Sequence, residues 1–304
     1  MLEFKPITID DQQFLTERLV ALDCKLLNYN FVTLFIYRNL IQFEYTMFHD
    51  FLIIKTTIQE HDCFLFPTGT GDRNAAFDAI KEYAFSKEDT CRFLQFCDHN
   101  AHFLKEWSKP LESQNYSLNF YKVRGDFEYI YLTQNLIELQ GHDYKVKRNH
   151  VNHFKNHYQW AIEPITKENL AEVIAFSKEW DVKLEIAQDS RLIWENIALD
   201  ESFNNYFTLG LEGILMRAEG KIVAFSFGCP LCKDTYLVLF EKADRDTNGS
   251  YAMINQSFAS TVGKNYLYLN RAEDCGNEGL RKAKLSYNPT ELLEVWHLDI
   301  KKIK

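Results

Sequence analysis

From Asp10 onward an apolar set, Phe14, Leu15, Leu19 and Leu22, recurs on one side of a 3.6-residue turn between polar positions. The pattern predicts a helix with the Asp10 carboxylate at its N-cap. Residues 28–40 are aromatic and apolar almost throughout and read as buried. The period then changes. Residues 51–56 and 63–66 are short β-type runs, and the turn-rich segment 67–72, Pro-Thr-Gly-Thr-Gly-Asp, delivers the chain into a helix through Tyr83. A strand over 91–97, a helix over 99–107 and a strand over 117–123 complete the first half.

The same order of periods returns in the second half. Helical spacing over 166–181 and 189–199 precedes two strand runs, 213–218 and 221–228, joined by Glu219-Gly220 at hairpin spacing. A third strand, 235–243, leads through a polar loop to a helix over 250–262, a strand ending at Leu269, a short helix around Arg281 and a last strand near 292–298. Each half therefore reads as helices, hairpin, helix, strand, helix, strand, although no residue-level repeat links the two. The expected fold class is α+β: two copies of one unit, each a mixed sheet flanked by helices. The expected domains are residues 1–125 and 159–304, with a basic bridging segment over 126–158.

Composition narrows the function classes. The formal charge of -9 argues against indiscriminate binding to nucleic acid or anionic membranes and leaves only local basic patches for a polyanion. Seven irregularly spaced cysteines fit a reducing compartment better than a disulfide framework. The start, Met1-Leu2-Glu3-Phe4-Lys5-Pro6, lacks the pattern of a secretion signal, and no apolar run reaches the roughly 18 residues of a membrane helix, so a cytoplasmic location is expected. Cys229-Pro230-Leu231-Cys232 has no second pair to complete a zinc site; no metal and no cofactor are expected.

Two segments carry candidate chemistry. In residues 270–289 a strand runs into Glu273 and Asp274, and after a glycine-containing turn a short helix presents Arg281 and Lys284 on one face. Acids at a strand exit and cations on the next helix can face one cleft and polarise a carbonyl or phosphate; they can equally be ion pairs that hold the loop. The second segment, 144–162, contains no acid. It carries Lys145, Lys147, Arg148 and Lys155, with His150, His153 and His157 on one helix face. Without an acid to complete a metal site, a solvated or phosphate-contacting face is expected there.

Tyr129-Ile130-Tyr131, Asn135-Leu136-Ile137-Glu138-Leu139-Gln140-Gly141, Lys147-Arg148-Asn149-His150 and Phe154, together with Gly279-Leu280-Arg281-x-x-Lys284 and Pro289, resemble the C-terminal catalytic domain family of phosphatidylglycerol lysyltransferases. The resemblance spans both halves. It implies tandem GNAT-like (acyl-coenzyme A N-acyltransferase-like) folds, related to Fem-type aminoacyltransferases, with the active site in the second copy. In the lipid-modifying relatives an aminoacyl group leaves its tRNA ester for a hydroxyl of phosphatidylglycerol; in GNAT enzymes an acetyl group leaves a thioester for an amine. Both reactions pass through a tetrahedral oxyanion and need a base, oxyanion donors and an anchor for the donor's phosphates. On that basis Glu273 or Asp274 is the expected base, Glu241 a second acid candidate and Tyr287 a proton donor to the leaving group. The expected donor-binding residues are Arg281, Lys284, Lys147, Arg148, Asn149, Arg245 and Ser250.

One departure bears on the donor. GNAT folds hold the coenzyme A pyrophosphate on a glycine-rich loop that opens a helix, where backbone N–H groups and the helix dipole favour anions. Here the loop reads Asp244-Arg245-Asp246-Thr247-Asn248-Gly249-Ser250, with one glycine and two acids. Three readings follow. The first is an acyltransferase using aminoacyl-tRNA or another polyanionic donor, with a small-molecule or lipid-derived acceptor. The second is an acyl-coenzyme A N-acyltransferase, and the third a non-catalytic binding protein on the same scaffold.

Overall fold

A computed structural model describes residues 2–183 and 190–303. Its contacts divide the chain into two compact units: Met1–Glu128 with Glu273–Gly276 and Leu293–Lys304, and Tyr129–Ala272 with Asn277–Leu292.

Unit 1 opens with β1 (Lys5–Pro6), α1 (Gln12–Val20) and α2 (Phe31–Ile41). The first helix begins after a 3₁₀ turn, Ile9–Asp11, in which Asp11 rather than Asp10 does the capping: its Oδ2 accepts from Thr8 N at 2.9 Å. Leu15 and Leu19 are buried, as the spacing requires, while Phe14 lies partly exposed. Asn30 caps α2 by accepting from Val32 N and Thr33 N, and every residue from Phe31 to Ile36 is buried. Then come β2 (Glu44–Phe48), β3 (Phe51–Ile58), β4 (His61–Leu65), α3 (Arg73–Phe85), β5 (Thr90–Phe96), α4 (Asp98–Ser108) and β6 (Tyr116–Lys122). Asp72 caps α3 through a bond from Ala75 N at 3.2 Å.

The chain continues through β7 (Glu128–Leu132), α5 (Thr133–Glu138), α6 (Lys145–His157) and β8 (Trp160–Pro164) to α7 (Leu170–Lys183) and α8 (Ser190–Asn204). The helix start expected at residue 189 lies outside the described residues. The hairpin is β9 (Glu212–Ala218) and β10 (Lys221–Pro230), followed by β11 (Thr235–Ala243), α9 (Ser250–Thr261), β12 (Tyr268–Asn270) and α10 (Glu278–Leu285). The single strand expected near 292–298 is instead two, β13 (Glu291–Leu293) and β14 (Trp296–Lys302), which belong to different sheets.

Both sheets have seven strands, in the orders β1-β2-β3-β4-β5-β14-β6 and β8-β9-β10-β11-β12-β7-β13. Position by position the two orders are the same. The fourth and fifth strands pair parallel in each, β4 with β5 and β11 with β12, and the fifth and sixth pair antiparallel. The sixth place in each sheet is filled from the other half of the sequence. β7 follows β6 along the chain but pairs with β12, and β14 follows β13 but lies between β5 and β6. Four of the five β7 residues, Glu128 to Tyr131, are buried, which matches a strand inside a sheet covered on both faces. The fold is thus α+β in duplicate, each sheet flanked by helices.

Candidate functional site

In open sheets with parallel strands, ligand sites form beyond the carboxyl ends of those strands. In unit 2 those ends belong to β11 and β12, and they carry Glu241 and, one residue past β12, Arg271. Glu241 Oε1 lies 2.8 Å from Arg271 Nη2, with about a tenth of each side chain exposed (10% and 12%). Asn255, buried on α9, donates through Nδ2 to Glu241 Oε2 at 3.3 Å. The pair is thereby fixed from the helix above it. Burial works against the charge of Arg271, but Glu241 and the surrounding tyrosine oxygens outweigh it and hold the guanidinium protonated.

Two tyrosines and a lysine complete the cluster. The Arg271 guanidinium lies 5.0 Å from the ring centre of Tyr287 and 5.6 Å from that of Tyr131, and Lys147 Nζ from α6 lies 4.1 Å from the Tyr287 ring centre. Burial, assisted by the Arg271 charge, lowers the pKa of the Lys147 ammonium. Burial raises the phenols of Tyr287 and Tyr131, so both stay protonated. Two buried atoms of this cluster have no hydrogen-bond partner among the described residues: Arg271 Nη1, a donor, and Asn255 Oδ1, an acceptor. Two cations thus face one carboxylate, and one N–H group remains open for an incoming oxygen.

The other expected residues take different places. Lys284 is buried; its Nζ donates to Arg271 O at 2.5 Å, while Tyr131 Oη donates to Lys284 O at 2.7 Å. These two bonds fasten α10 to the end of β12 and to β7. Tyr144 Oη holds the next turn by donating to Tyr287 O at 3.0 Å. Arg148 donates through Nη1 to Leu139 O and, at 3.1 Å, to Gly141 O, which closes the turn between α5 and α6. Asn149 is exposed on α6, and Arg281 is half-buried on α10. Glu273 and Asp274 belong to unit 1. There Asp274 is fully buried, Oδ2 lying 3.0 Å from Arg124 Nη1 and Oδ1 accepting from Gly276 N at 2.9 Å; Glu273 Oε1 accepts from Cys275 Sγ at 3.5 Å. On α6, His153 and His157 stack with ring centres 3.9 Å apart, and His157 Nδ1 lies 2.8 Å from His153 O; no group of three or more His, Cys, Asp or Glu side chains placed to hold a metal ion occurs among the described residues.

The loop that opens α9 is closed on itself. Ser250 Oγ donates to Asp244 O at 2.6 Å, Ser250 N to Thr247 O at 3.1 Å, and Thr247 Oγ1 to Asp244 Oδ2 at 2.8 Å. Arg245 is exposed. Gly249, at φ +88°, sits so close to α6 that a Cβ would fall 2.3 Å from His150 O.

Sequence reading passed over Arg271, Asn255 and Tyr131. Arg271 had a signal, since it directly follows the strand that ends the parallel pair. Asn255 is a lone amide among Ala252, Met253, Ile254 and Phe258, an apolar helix in which a buried polar group needs a partner.

Two α+β units of one strand order, with a parallel pair at the fourth and fifth places, make a duplicated mixed-sheet fold. The chain belongs to the family described as phosphatidylglycerol lysyltransferase, C-terminal, whose model matches residues 25–298. A conserved protein of unknown function from Bacteroides thetaiotaomicron has 34% identity and a TM-score of 0.92 over 99% of this chain and 100% of its own. L-PGS from Bacillus licheniformis shares the fold at 16% identity and a TM-score of 0.58, over 90% of this chain and 88% of its own. Comparison with curated proteins gives no match. Among the described residues no helix is long and apolar enough to cross a membrane.

Proposed function

We propose that the chain transfers an aminoacyl group from aminoacyl-tRNA to a hydroxyl or amine of a small-molecule or lipid-derived acceptor, at the Glu241–Arg271 cluster. The observation that carries this reading is Arg271 Nη1, a buried donor without a partner among the described residues, beside Lys147, whose pKa burial and the Arg271 charge lower. Such a cluster favours a group that gains negative charge, as an ester carbonyl oxygen does in acyl transfer. The acceptor oxygen or nitrogen attacks the carbonyl carbon and its proton passes to Lys147 in its neutral amine form, the form that burial and the Arg271 charge favour. The carbonyl electrons move onto oxygen against Arg271 Nη1, then return as the ribose oxygen leaves and takes up that proton. Tyr287, kept protonated by burial, donates a hydrogen bond to the departing oxygen, while Glu241 and Asn255 hold Arg271 in register. Lys147 takes the role of base in place of Asp274, whose carboxylate oxygens are both engaged within unit 1.

The closed Asp244–Ser250 loop favours this donor over coenzyme A. Its Ser250 amide and hydroxyl are already bonded to the loop's own carbonyls, and its two acids repel a pyrophosphate. The test supplies tRNA carrying a labelled aminoacyl group, with phosphatidylglycerol vesicles or a soluble amine as acceptor. Label is expected to leave the tRNA for the acceptor, and Arg271→Lys, which keeps the charge opposite Glu241 but loses the open N–H, is expected to lower kcat/KM about 10²- to 10³-fold with little change in Tm. Transfer from acetyl-coenzyme A alone would replace the donor. Consumption of neither donor, with tRNA still raising Tm, would leave a binding protein.

A further inference from the structure

Glu241 owes its place to an irregularity in its strand. β10 and β11 pair antiparallel, and their register slips between Phe227 and Gly228, so that Leu239 has no partner across the ladder. The extra residue reverses the alternation of β11. Tyr236 and Val238 face the core under α9, and past the bulge Glu241 and Ala243 do so, while Phe240 packs on Phe227 and Lys242 pairs with Asp181 at 2.9 Å. Directly opposite Glu241 on β10 stands Ser226, whose side chain therefore lies on the same face. Ser226 is fully buried, and its Oγ has no hydrogen-bond partner among the described residues. Asn255 reaches the same carboxylate from α9. A carboxylate only accepts, so the amide gives it Nδ2 and Oδ1 remains an unmet acceptor. Five buried side-chain atoms of unit 2 lack a partner among the described residues, and three of them, on Ser226, Asn255 and Arg271, belong to side chains gathered around Glu241. We propose that Ser226 and Asn255 form the subsite for the α-amino group of the transferred aminoacyl residue, an assignment that rests on the acyl-transfer reading of the cluster.

The unmet atoms select the chemistry of what they hold. Asn255 Oδ1 and Ser226 Oγ both accept, and each Glu241 oxygen has a second lone pair beyond its bond to Arg271 or Asn255. An ammonium brings three N–H donors and no acceptor, so it satisfies this set, whereas a hydroxyl brings one donor and an alkyl group none. Glu241 supplies the opposite charge. The α-amino nitrogen of an aminoacyl ester is one carbon from the ester carbonyl. A group anchored at Asn255, on one oxygen of the Glu241 carboxylate, thus sets its carbonyl oxygen toward Arg271 Nη1, the open donor of the guanidinium on the other oxygen. The same atoms discriminate against a simple acyl group such as acetyl, which would leave buried acceptors unpaired.

The experiment measures, by calorimetry on the full chain, the binding of L-alaninamide, of propionamide, which lacks only the amine, and of N-acetyl-L-alaninamide, in which the amine is blocked. L-alaninamide is expected to bind at least about tenfold more tightly than either of the others. Ser226→Ala is expected to erase most of that preference without lowering Tm, because the hydroxyl has no partner among the described residues to lose. Equal binding of the three amides, or binding of none, overturns the subsite; so does a preference that survives both Ser226→Ala and Asn255→Ala. The wild-type comparison decides the question even if Asn255→Ala fails to fold. Failure of the transfer reading shows separately. Amine-dependent binding by a chain that moves no label from aminoacyl-tRNA keeps the subsite and removes the transfer, whereas transfer from N-acetylaminoacyl-tRNA as fast as from the free aminoacyl-tRNA keeps the transfer and removes the subsite.

Discussion

Lys147 is the residue whose charge state matters most to the cluster. In the unfolded chain its pKa returns to the ordinary 10.5, whereas in the fold burial and Arg271 hold it lower. Its protonated form therefore subtracts from stability at neutral pH. That subtraction shrinks as pH rises through the folded value and is gone above 10.5. Lys147→Met, which keeps the stem over the Tyr287 ring, is expected to be as stable as wild type or more so at pH 7, and the difference in urea midpoint should close toward pH 10.5. A variant less stable than wild type at pH 7 would show that the ammonium contributes packing or pairing that outweighs its burial. The charges of residues 270–289 were visible in the sequence, but their assignments were not. Whether Arg271 or Arg281 faces Glu241 depends on β7, β11 and α6 arriving at the same place, and side-chain type alone carries no record of that.

Helices and hairpins were legible because each is written in a local period. Two of the edge strands were not: β1 and β8 each end in proline, at Pro6 and Pro164, and a strand that pairs on one side needs neither alternation nor a full set of N–H donors. β7 escaped for the opposite reason, being too short and too uniformly buried to show a period. The Asp244–Ser250 loop, by contrast, could be read in advance as unlike a pyrophosphate cradle, since its acids are local facts. Its packing adds a constraint. With φ at +88° and His150 O only 2.3 Å from a would-be Cβ, Gly249→Ala is expected to cost about 2 kcal/mol or more in chemical denaturation, by backbone strain and by pushing α6 off α9. A loss under about 0.5 kcal/mol would mean that the loop can shift without disturbing the helix.

At the scale of the molecule, the repeated order of elements was readable and the exchange of β7 and β14 was not, because pairing partners more than a hundred residues apart leave no local mark. β14 is bonded to β5 over Trp296–Lys301 and to β6 over Trp296–Lys302, so the sheet of unit 1 without it is split in two. A fragment ending at residue 127 is therefore expected to lack cooperative unfolding, and the intact chain to melt in one transition with equal calorimetric and van't Hoff enthalpies. A folded, cooperative fragment would show that β5 and β6 can close without the missing strand. The exchange also sets a timetable at the ribosome. When β6 emerges, the strand that must lie beside it is still about 170 codons away, which at roughly 5–20 residues per second is on the order of 10–30 s of waiting. Through that interval β5 and β6 present open backbone edges, the kind of surface that recruits other strands. A nascent chain of this protein is thus expected to need chaperones from its first half onward, until β14 is made to cover those edges.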